Sequence, residues 1–186
     1  MAKSKGRKRS GSRQPEAIAM LIEDHQKVQK LFKQFEKAES QQQKSEIAEL
    51  ACNELTVHAE LEEQVFYPAV REAIDETDLL DEAEVEHNVA KELIEKLKGM
   101  DSADEEYAAT FTVLGEYVNH HITEEQDELF PKVKKADLDM EALASEMMEK
   151  KQELMAQMGM SADEGMVGRD RAQSARGQGH RRSAGR

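Results

Sequence analysis

Apolar residues recur at helical spacing along most of the chain. In the first such stretch they mark one face of a helix, formed by Leu21, Val28, Leu31, Phe32 and Phe35. No stretch alternates apolar and polar residues or carries a β-branched run, so no sheet is predicted. The periodic stretches, and hence the predicted helices, cover roughly 15–39, 44–74, 78–100, 103–131 and 138–158.

The breaks between these helices are short and carry residues typical of helix boundaries. Pro15 suits a first turn, and Gly99 suits a helix end. Asp101 and Ser102 suit the start of the fourth helix. Pro68 lies inside the second helix, where we expect it to cost a backbone hydrogen bond and to kink the last turns. Because short connections join antiparallel neighbours, the predicted fold is all-α: an up-down-up-down four-helix bundle with an extra C-terminal helix.

Charge divides the 186-residue chain into an acidic body and two basic ends. Residues 1–13 carry six Lys or Arg and no acid, and residues 169–186 carry six Arg and one Asp. Taking these +11 charges from the net charge of −13 leaves −24 on the segment between them. The ends have few apolar residues to bury, so we expect disordered tails at 1–13 and 159–186, the second including His180, around one domain at 14–158.

Composition also bounds where the protein works. No window holds the eighteen or so consecutive apolar residues of a membrane span. The basic N-terminus lacks the apolar run of a secretory signal. The single cysteine, Cys52, forms no intramolecular disulfide, and we expect it to be a free buried thiol. These features predict a cytoplasmic protein that does not enter the membrane.

Two eleven-residue stretches nearly repeat each other: HAELEEQVFYP at 58–68 and HITEEQDELFP at 121–131. Each opens with His, has Glu four positions later and ends with an aromatic residue and Pro. A further His precedes each stretch, His25 by 33 residues and His87 by 34. The repeated unit is therefore a helical hairpin with one His on its first arm and H-x-x-x-E on its second, and the chain contains it twice.

Helical geometry turns these polar residues inward. Residues four apart share a helix face, so each His of an H-x-x-x-E pair lies with its Glu, on the face that also carries core residues. Imidazoles and carboxylates are costly to bury unpaired, and a metal ion removes that cost. Their nitrogen and oxygen atoms suit iron, manganese or zinc, and the twofold repeat favours a dinuclear site. The predicted ligands are His25, His58, Glu62, His87, His121 and Glu125.

The alternative is a duplicated bundle whose histidines only satisfy one another. Other residues are placed by the same angles. His120 points about 100° from its neighbour His121, so we expect it beside the ligands or at the surface rather than among the ligands. Tyr67 lies about 180° from His58, which argues against a role there. Glu84 and Glu128 fall on inward faces, and our hypothesis is that one of them lines the access path or adds a carboxylate.

Taken together, these motifs resemble the hemerythrin-like HHE cation-binding domain family over roughly residues 15–158. The resemblance implies a four-helix bundle with a non-haem di-iron centre, in which the six residues above are the ligands and both Glu bridge the irons. The motifs that carry the resemblance are D-H-x-x-V-x-x-L-F at 24–32, H-x-x-x-E-E-x-V-F-Y-P at 58–68, E-H at 86–87 and H-x-x-x-E-x-x-E-L-F-P at 121–131.

The chain departs from oxygen-carrying hemerythrins at two positions. Those proteins have a second His one turn beyond the His of the third helix, where this chain has Lys91. They have an Asp five residues after the last His, where this chain has Gln126, so that Glu125 takes the role. With four His rather than five, the ligand pattern of this chain resembles that of the HHE subgroup linked to iron, oxygen, nitric oxide or peroxide responses.

Three functions follow as hypotheses. The first is a di-iron module that binds or senses O2, NO, peroxide or iron, rather than an enzyme with rapid turnover. The second is a weak di-iron oxidoreductase that removes peroxide or NO. The third is an interaction protein whose basic tails contact nucleic acid or other acidic surfaces through phosphate neutralisation. The simpler interpretation, that the tails are only solvated, is favoured over this third hypothesis.

Overall fold

A computed structural model describes residues 15–75 and 77–160. The predicted tails, apart from residues 159–160, and His180 lie outside the described residues. Within them the protein is helical, without strands, and no helix has the length and apolar content to cross a bilayer. The α-helices are α1 (Glu16–Lys37), α2 (Gln41–Leu61), α3 (Tyr67–Ala73), α4 (Asp78–Lys98), α5 (Tyr107–Glu124), α6 (Phe130–Val133) and α7 (Met140–Gln157).

The helices form the predicted bundle from two hairpins. The first pairs α1 with α2, and the second pairs α4 with α5. The hairpins meet where α1 contacts α5 and α2 contacts α4, and α7 packs on α1 and α2. The all-α fold, with its added C-terminal helix, is therefore confirmed.

A π turn interrupts the second arm of each hairpin at the same place. The first π turn, Glu62–Phe66, joins α2 to α3, and the second, Glu125–Leu129, joins α5 to α6. The Tyr67 N–H donates to the Glu62 carbonyl, five residues back. The Phe130 N–H donates to the Glu125 carbonyl in the same way. Each turn holds one residue more than an α-helical turn, so the helix beyond it is rotated relative to an ideal continuation.

The π turns also change the role expected of proline. The helix continues from the first π turn through Pro68 to Ala73. The irregularity expected near Pro68 is thus a π turn that lies immediately before it in the chain.

The start of the fourth helix was predicted too early. Asp101 Oδ1 accepts from the Ala103 N–H, and Asp104 Oδ2 accepts from the Asp101 N–H, so these side chains stabilise a turn. The helix begins only at Tyr107. Gly99 does end α4, as predicted.

Two apolar clusters fill the bundle, and the predicted metal-site residues lie between them. One cluster contains Leu21, Phe66 and Phe130 and is covered by α7, whose Met147 is fully buried. The other contains side chains of α1, α2, α4 and α5, among them Cys52. Burial raises the pKa of the Cys52 thiol to about 11, so it stays protonated and unreactive at neutral pH.

Candidate metal centre

The four predicted histidines meet as two pairs in the bundle interior. His25 and His58 of the first hairpin place their Nε2 atoms 3.1 Å apart. His87 and His121 of the second hairpin place theirs 3.2 Å apart. All four are buried. Each hairpin therefore supplies one imidazole pair.

Two carboxylates join the pairs crosswise. Glu62 Oε2 lies 3.2 Å from His58 Nε2 and 3.3 Å from His87 Nε2. Glu125 Oε2 lies 3.2 Å from His25 Nε2 and 3.5 Å from His121 Nε2. Each carboxylate thus touches one histidine of each hairpin. The donor atoms form two clusters, each within 4.8 Å, that share Glu62: His25, His58, Glu62 and Glu125, and Glu62, His87 and His121.

Without a cation this group of side chains is poorly satisfied. Glu62 is fully buried and its Oε1 has no hydrogen bond, and Oε2 of Glu125, which is 2% exposed, also has none. Burial, and then the charge of Glu125, raise the pKa of Glu62 well above its usual value. Burial also lowers the pKa of His58 to about 4. Imidazoles beside unpaired carboxylate oxygens are a donor set that binds iron, manganese or zinc, so the residues fit a metal centre.

The charge of the centre is carried by Glu125. Burial acts to raise its pKa, but the His121 and His25 imidazoles outweigh it and lower that pKa to about 2. In the metal-free protein, Glu125 is therefore the ionised member of the carboxylate pair, and Glu62 is the member that resists ionisation. A bound cation would favour ionisation of both.

Each imidazole also directs its Nδ1 atom at a polar side chain of another element. Such contacts fix which ring nitrogen faces a metal and hold the ring in place. These partners were not predicted from the sequence. Their positions in the repeat could have indicated them: two directly precede the His on the first arm of a hairpin, and two directly follow the Glu of an H-x-x-x-E motif. The hydrogen-bonded pairs are Glu63–His87 at 3.0 Å, Glu86–His121 at 2.9 Å and Gln126–His25 at 2.9 Å. Asp24 lies 3.7 Å from His58 Nδ1, which has no hydrogen bond.

Tyr67 is the main correction to the predicted site. Its side chain is 1% exposed, and its hydroxyl donates to Glu125 Oε1 at 3.0 Å, with Glu62 Oε2 at 3.4 Å. The expectation that it points away from His58 is wrong, because the first π turn shifts it by about one residue and aligns it with Glu62. Its ring also stacks on His87, with centroids 5.6 Å apart.

The second hairpin has a phenylalanine where the first has Tyr67. Phe130 stacks on His25 with nearly parallel planes and centroids 6.0 Å apart, so the ring contact is repeated. The hydroxyl contact is not repeated, because phenylalanine has no hydroxyl group. The centre is therefore nearly symmetric in its predicted ligands and asymmetric in its single phenol.

The expectation that Glu84 and Glu128 face inward is wrong, and neither joins the donor groups of the centre. Glu128 is exposed, because the second π turn rotates it away from His121. Glu84 is exposed and forms an ion pair with Arg71, with Nη2 and Oε1 3.0 Å apart. His120 lies at the surface, as expected.

An apolar cavity lies beside the histidines. It measures about 30 Å³ and is bordered by Val28, Leu55, Ile94 and Val118 as well as by the four imidazoles. A single water needs about 10–15 Å³ measured in this way, so the cavity has room for a molecule of two or three atoms. Lys91 also borders it, but its Nζ is held by Glu63 Oε2 at 2.6 Å.

Fold and site define a metal-binding helical bundle built from two His/Glu hairpins. The sequence model of the hemerythrin HHE cation binding domain matches residues 16–133, which is more than half of the chain. The protein therefore belongs to the hemerythrin HHE cation-binding domain family.

A similar curated protein is a DNA nickase from Nostoc sp. (strain PCC 7120 / SAG 25.82 / UTEX 2576), 32% identical over 111 residues. The match covers 60% of this chain and 31% of that protein, so the chain spans about a third of its relative's length. No solved structure matches this chain.

Proposed function

We propose that the buried centre holds a pair of iron ions and binds or senses a small ligand, namely O2, NO or peroxide, or iron itself. The observation that carries the proposal is the crosswise contact of each carboxylate with one histidine of each hairpin, the arrangement required of a bridging ligand. The proposed ligands are those predicted from the sequence: His25, His58, Glu62, His87, His121 and Glu125.

The side chains around the centre give each proposed ligand a fixed orientation. Glu63 and Glu86 accept hydrogen bonds from the Nδ1–H of His87 and His121, which leaves each Nε2 free to bind metal. Tyr67 holds Glu125 through its hydroxyl. Bound ferrous ions would supply electrons to a ligand in the adjacent cavity.

The size of the cavity supports a small ligand over an organic substrate. A space of about 30 Å³ beside the imidazoles suits O2, NO or peroxide better than an organic substrate. Its apolar border limits water near the centre. These features favour binding or sensing, with slow removal of peroxide or NO as the second candidate at the same site. The cytoplasmic location stays a prediction.

Anaerobic reconstitution with ferrous iron, followed by oxygen, tests the proposal. We expect about two irons per chain, the nuclearity of such bundle sites, and near-ultraviolet charge-transfer bands after oxygen is admitted. A colourless, folded protein without metal would refute both candidates. Catalytic decay of added peroxide would favour the oxidoreductase.

A different function, contact with nucleic acid, is favoured by two observations. The relative from Nostoc is named a DNA nickase, and residues 1–13 and 169–186 carry twelve Lys or Arg in total. Basic segments bind the phosphate backbone in a salt-dependent way. The test is incubation with supercoiled plasmid, with and without iron, using the full chain and a chain lacking both segments. Nicking or a salt-dependent shift that requires the segments would support this function.

The Tyr67→Phe substitution should accelerate oxidation of the iron-loaded protein without changing its metal content. The hydroxyl draws charge from Glu125, and its removal makes that carboxylate a stronger donor to iron. A stronger donor favours the ferric state, so we expect oxidation by O2 to be roughly tenfold faster, equivalent to about 1.4 kcal/mol. Stopped-flow absorbance measures it.

The matched control for this prediction is Tyr107→Phe. It removes a phenol from the other apolar cluster, away from the centre. If both variants oxidise at the wild-type rate, Tyr67 has no influence on the centre.

A further inference from the structure

The two flanks of the buried centre are covered differently. On the flank of the first hairpin, α7 packs against α1 and α2, and Lys151 Nζ lies 2.6 Å from Asp24 Oδ2. Val57 and Leu61 are buried there in one apolar cluster with Met147 of α7. This flank is therefore closed by a helix.

The hairpin repeat places polar residues on the other flank. The equivalents of Val57 and Leu61 are His120 and Glu124, and Glu86 lies beside them. The His120 side chain is 64% exposed. What is an apolar, helix-covered surface in the first hairpin is thus a polar, open surface in the second.

His120, Glu124 and Glu86 bring their donor atoms together. His120 Nε2 lies 3.3 Å from Glu124 Oε1 and 3.7 Å from Glu86 Oε1, and one donor atom from each residue lies within 4.8 Å of the others. One imidazole and two carboxylates form a set that binds divalent first-row metal ions. No equivalent set exists on the flank covered by α7 among the described residues.

A narrow crevice links this surface set to the buried centre. It measures about 10 Å³ and is lined by Glu86, Glu124, Glu125 and His121 together with the apolar Leu79, Ala83 and Leu129. At its inner end Glu125, which is 2% exposed, has an Oε2 without a hydrogen bond. Glu86 reaches both ends, since its other oxygen, Oε2, lies 2.9 Å from His121 Nδ1. Oxygen ligands therefore run from the surface to an unsatisfied carboxylate of the centre.

We infer that Glu86, His120 and Glu124 form a surface cation site through which divalent metal ions such as Fe²⁺ reach the buried centre. The inference rests on the proposed function, because it requires a centre that takes up metal. The surface set captures the hydrated ion and replaces part of its water shell. Movement along the Glu86 and Glu124 carboxylates then delivers the ion to Glu125. On the helix-covered flank the equivalent carboxylate, Asp24, is held by Lys151.

The test is the rate of metal uptake by the full metal-free chain, with Co²⁺ as the probe because its visible absorption reports ligand binding. A His120→Ala/Glu124→Gln variant should fill the centre roughly tenfold more slowly at low micromolar Co²⁺, at the lower end of electrostatic effects on association. Its final metal content, measured by elemental analysis, should equal that of the wild type. Glu128→Gln, which removes an exposed carboxylate outside the crevice, should fill at the wild-type rate.

A second measurement locates the site directly and does not depend on variants. With the centre already filled by Zn²⁺, added Mn²⁺ should broaden the ring-proton signals of His120 in wild-type protein. Equal uptake rates in all variants, or His120 signals unaffected by Mn²⁺, would overturn the surface site while leaving the proposed function intact. A wild-type chain that takes up no Co²⁺ would instead refute the proposed function, and the surface site with it.

Discussion

Replacing Glu62 with Gln should stabilise the metal-free protein and, at the same time, destroy the dinuclear centre. Glu62 is fully buried, its Oε1 has no hydrogen bond, and burial with the nearby Glu125 charge raises its pKa. A neutral amide of the same shape does not carry the cost of a buried ionisable group, so we expect a gain of about 1–3 kcal/mol, the desolvation penalty of such a group. An amide does not bridge metal ions, so iron content should fall from about two per chain to one or none.

Urea unfolding of the metal-free proteins at pH 7 measures the first effect, and elemental analysis after reconstitution measures the second. Glu84→Gln is the matched control, because it changes an exposed carboxylate held by Arg71. It should alter stability by only a few tenths of a kcal/mol and leave metal content unchanged. A destabilised Glu62→Gln protein with normal iron content would contradict the assigned role of Glu62.

Acid should destabilise the metal-free protein through His58 before most carboxylates titrate. Burial lowers the pKa of His58 from 6.5 to about 4, so the folded state requires the neutral imidazole. The neutral His58 imidazole contributes fully to stability above pH 6.5. This contribution declines as the pH falls below 6.5 and is lost near pH 4. This lowering of the His58 pKa from 6.5 to about 4 corresponds to roughly 3 kcal/mol of unfolding free energy.

The His58→Gln variant removes the group whose protonation causes this loss of stability. Glu62, whose raised pKa makes the folded state favour its protonated form, acts in the opposite direction as the pH falls. The comparison must therefore be between two proteins that both contain Glu62. Urea unfolding is measured at half-unit pH steps from pH 7 to pH 4. Over this range His58→Gln should lose roughly 3 kcal/mol less unfolding free energy than the wild type. Parallel curves would mean that His58 is not held neutral in the folded protein.

Helical spacing allowed the fold and the first part of the site to be predicted from the sequence. His58 and Glu62 lie on a regular α-helix up to the start of the first π turn, as do His121 and Glu125 up to the second. Angles of 100° per residue therefore hold between them, and all six predicted ligand residues meet in the interior.

Two errors, at Tyr67 and Glu128, arise at the π turns for one shared reason. Tyr67 and Glu128 were placed by continuing an ideal α-helix, and the extra residue in each turn reversed both placements. Nothing in composition marks a π turn, because its residues are ordinary helix formers. Glu84 failed differently: it lies near the start of α4, where Arg71 draws it outward.

The π turns also bear on how the molecule arose. Each represents one inserted residue, and both fall between the motif Glu and the aromatic-Pro pair. A single insertion in an ancestral hairpin, copied when that hairpin was duplicated, accounts for both at once. Such a hairpin held half of the donors, and two copies related by a twofold axis would have assembled the full set. Within one chain the two halves can differ, and they do: one carries a phenol and the other an open flank.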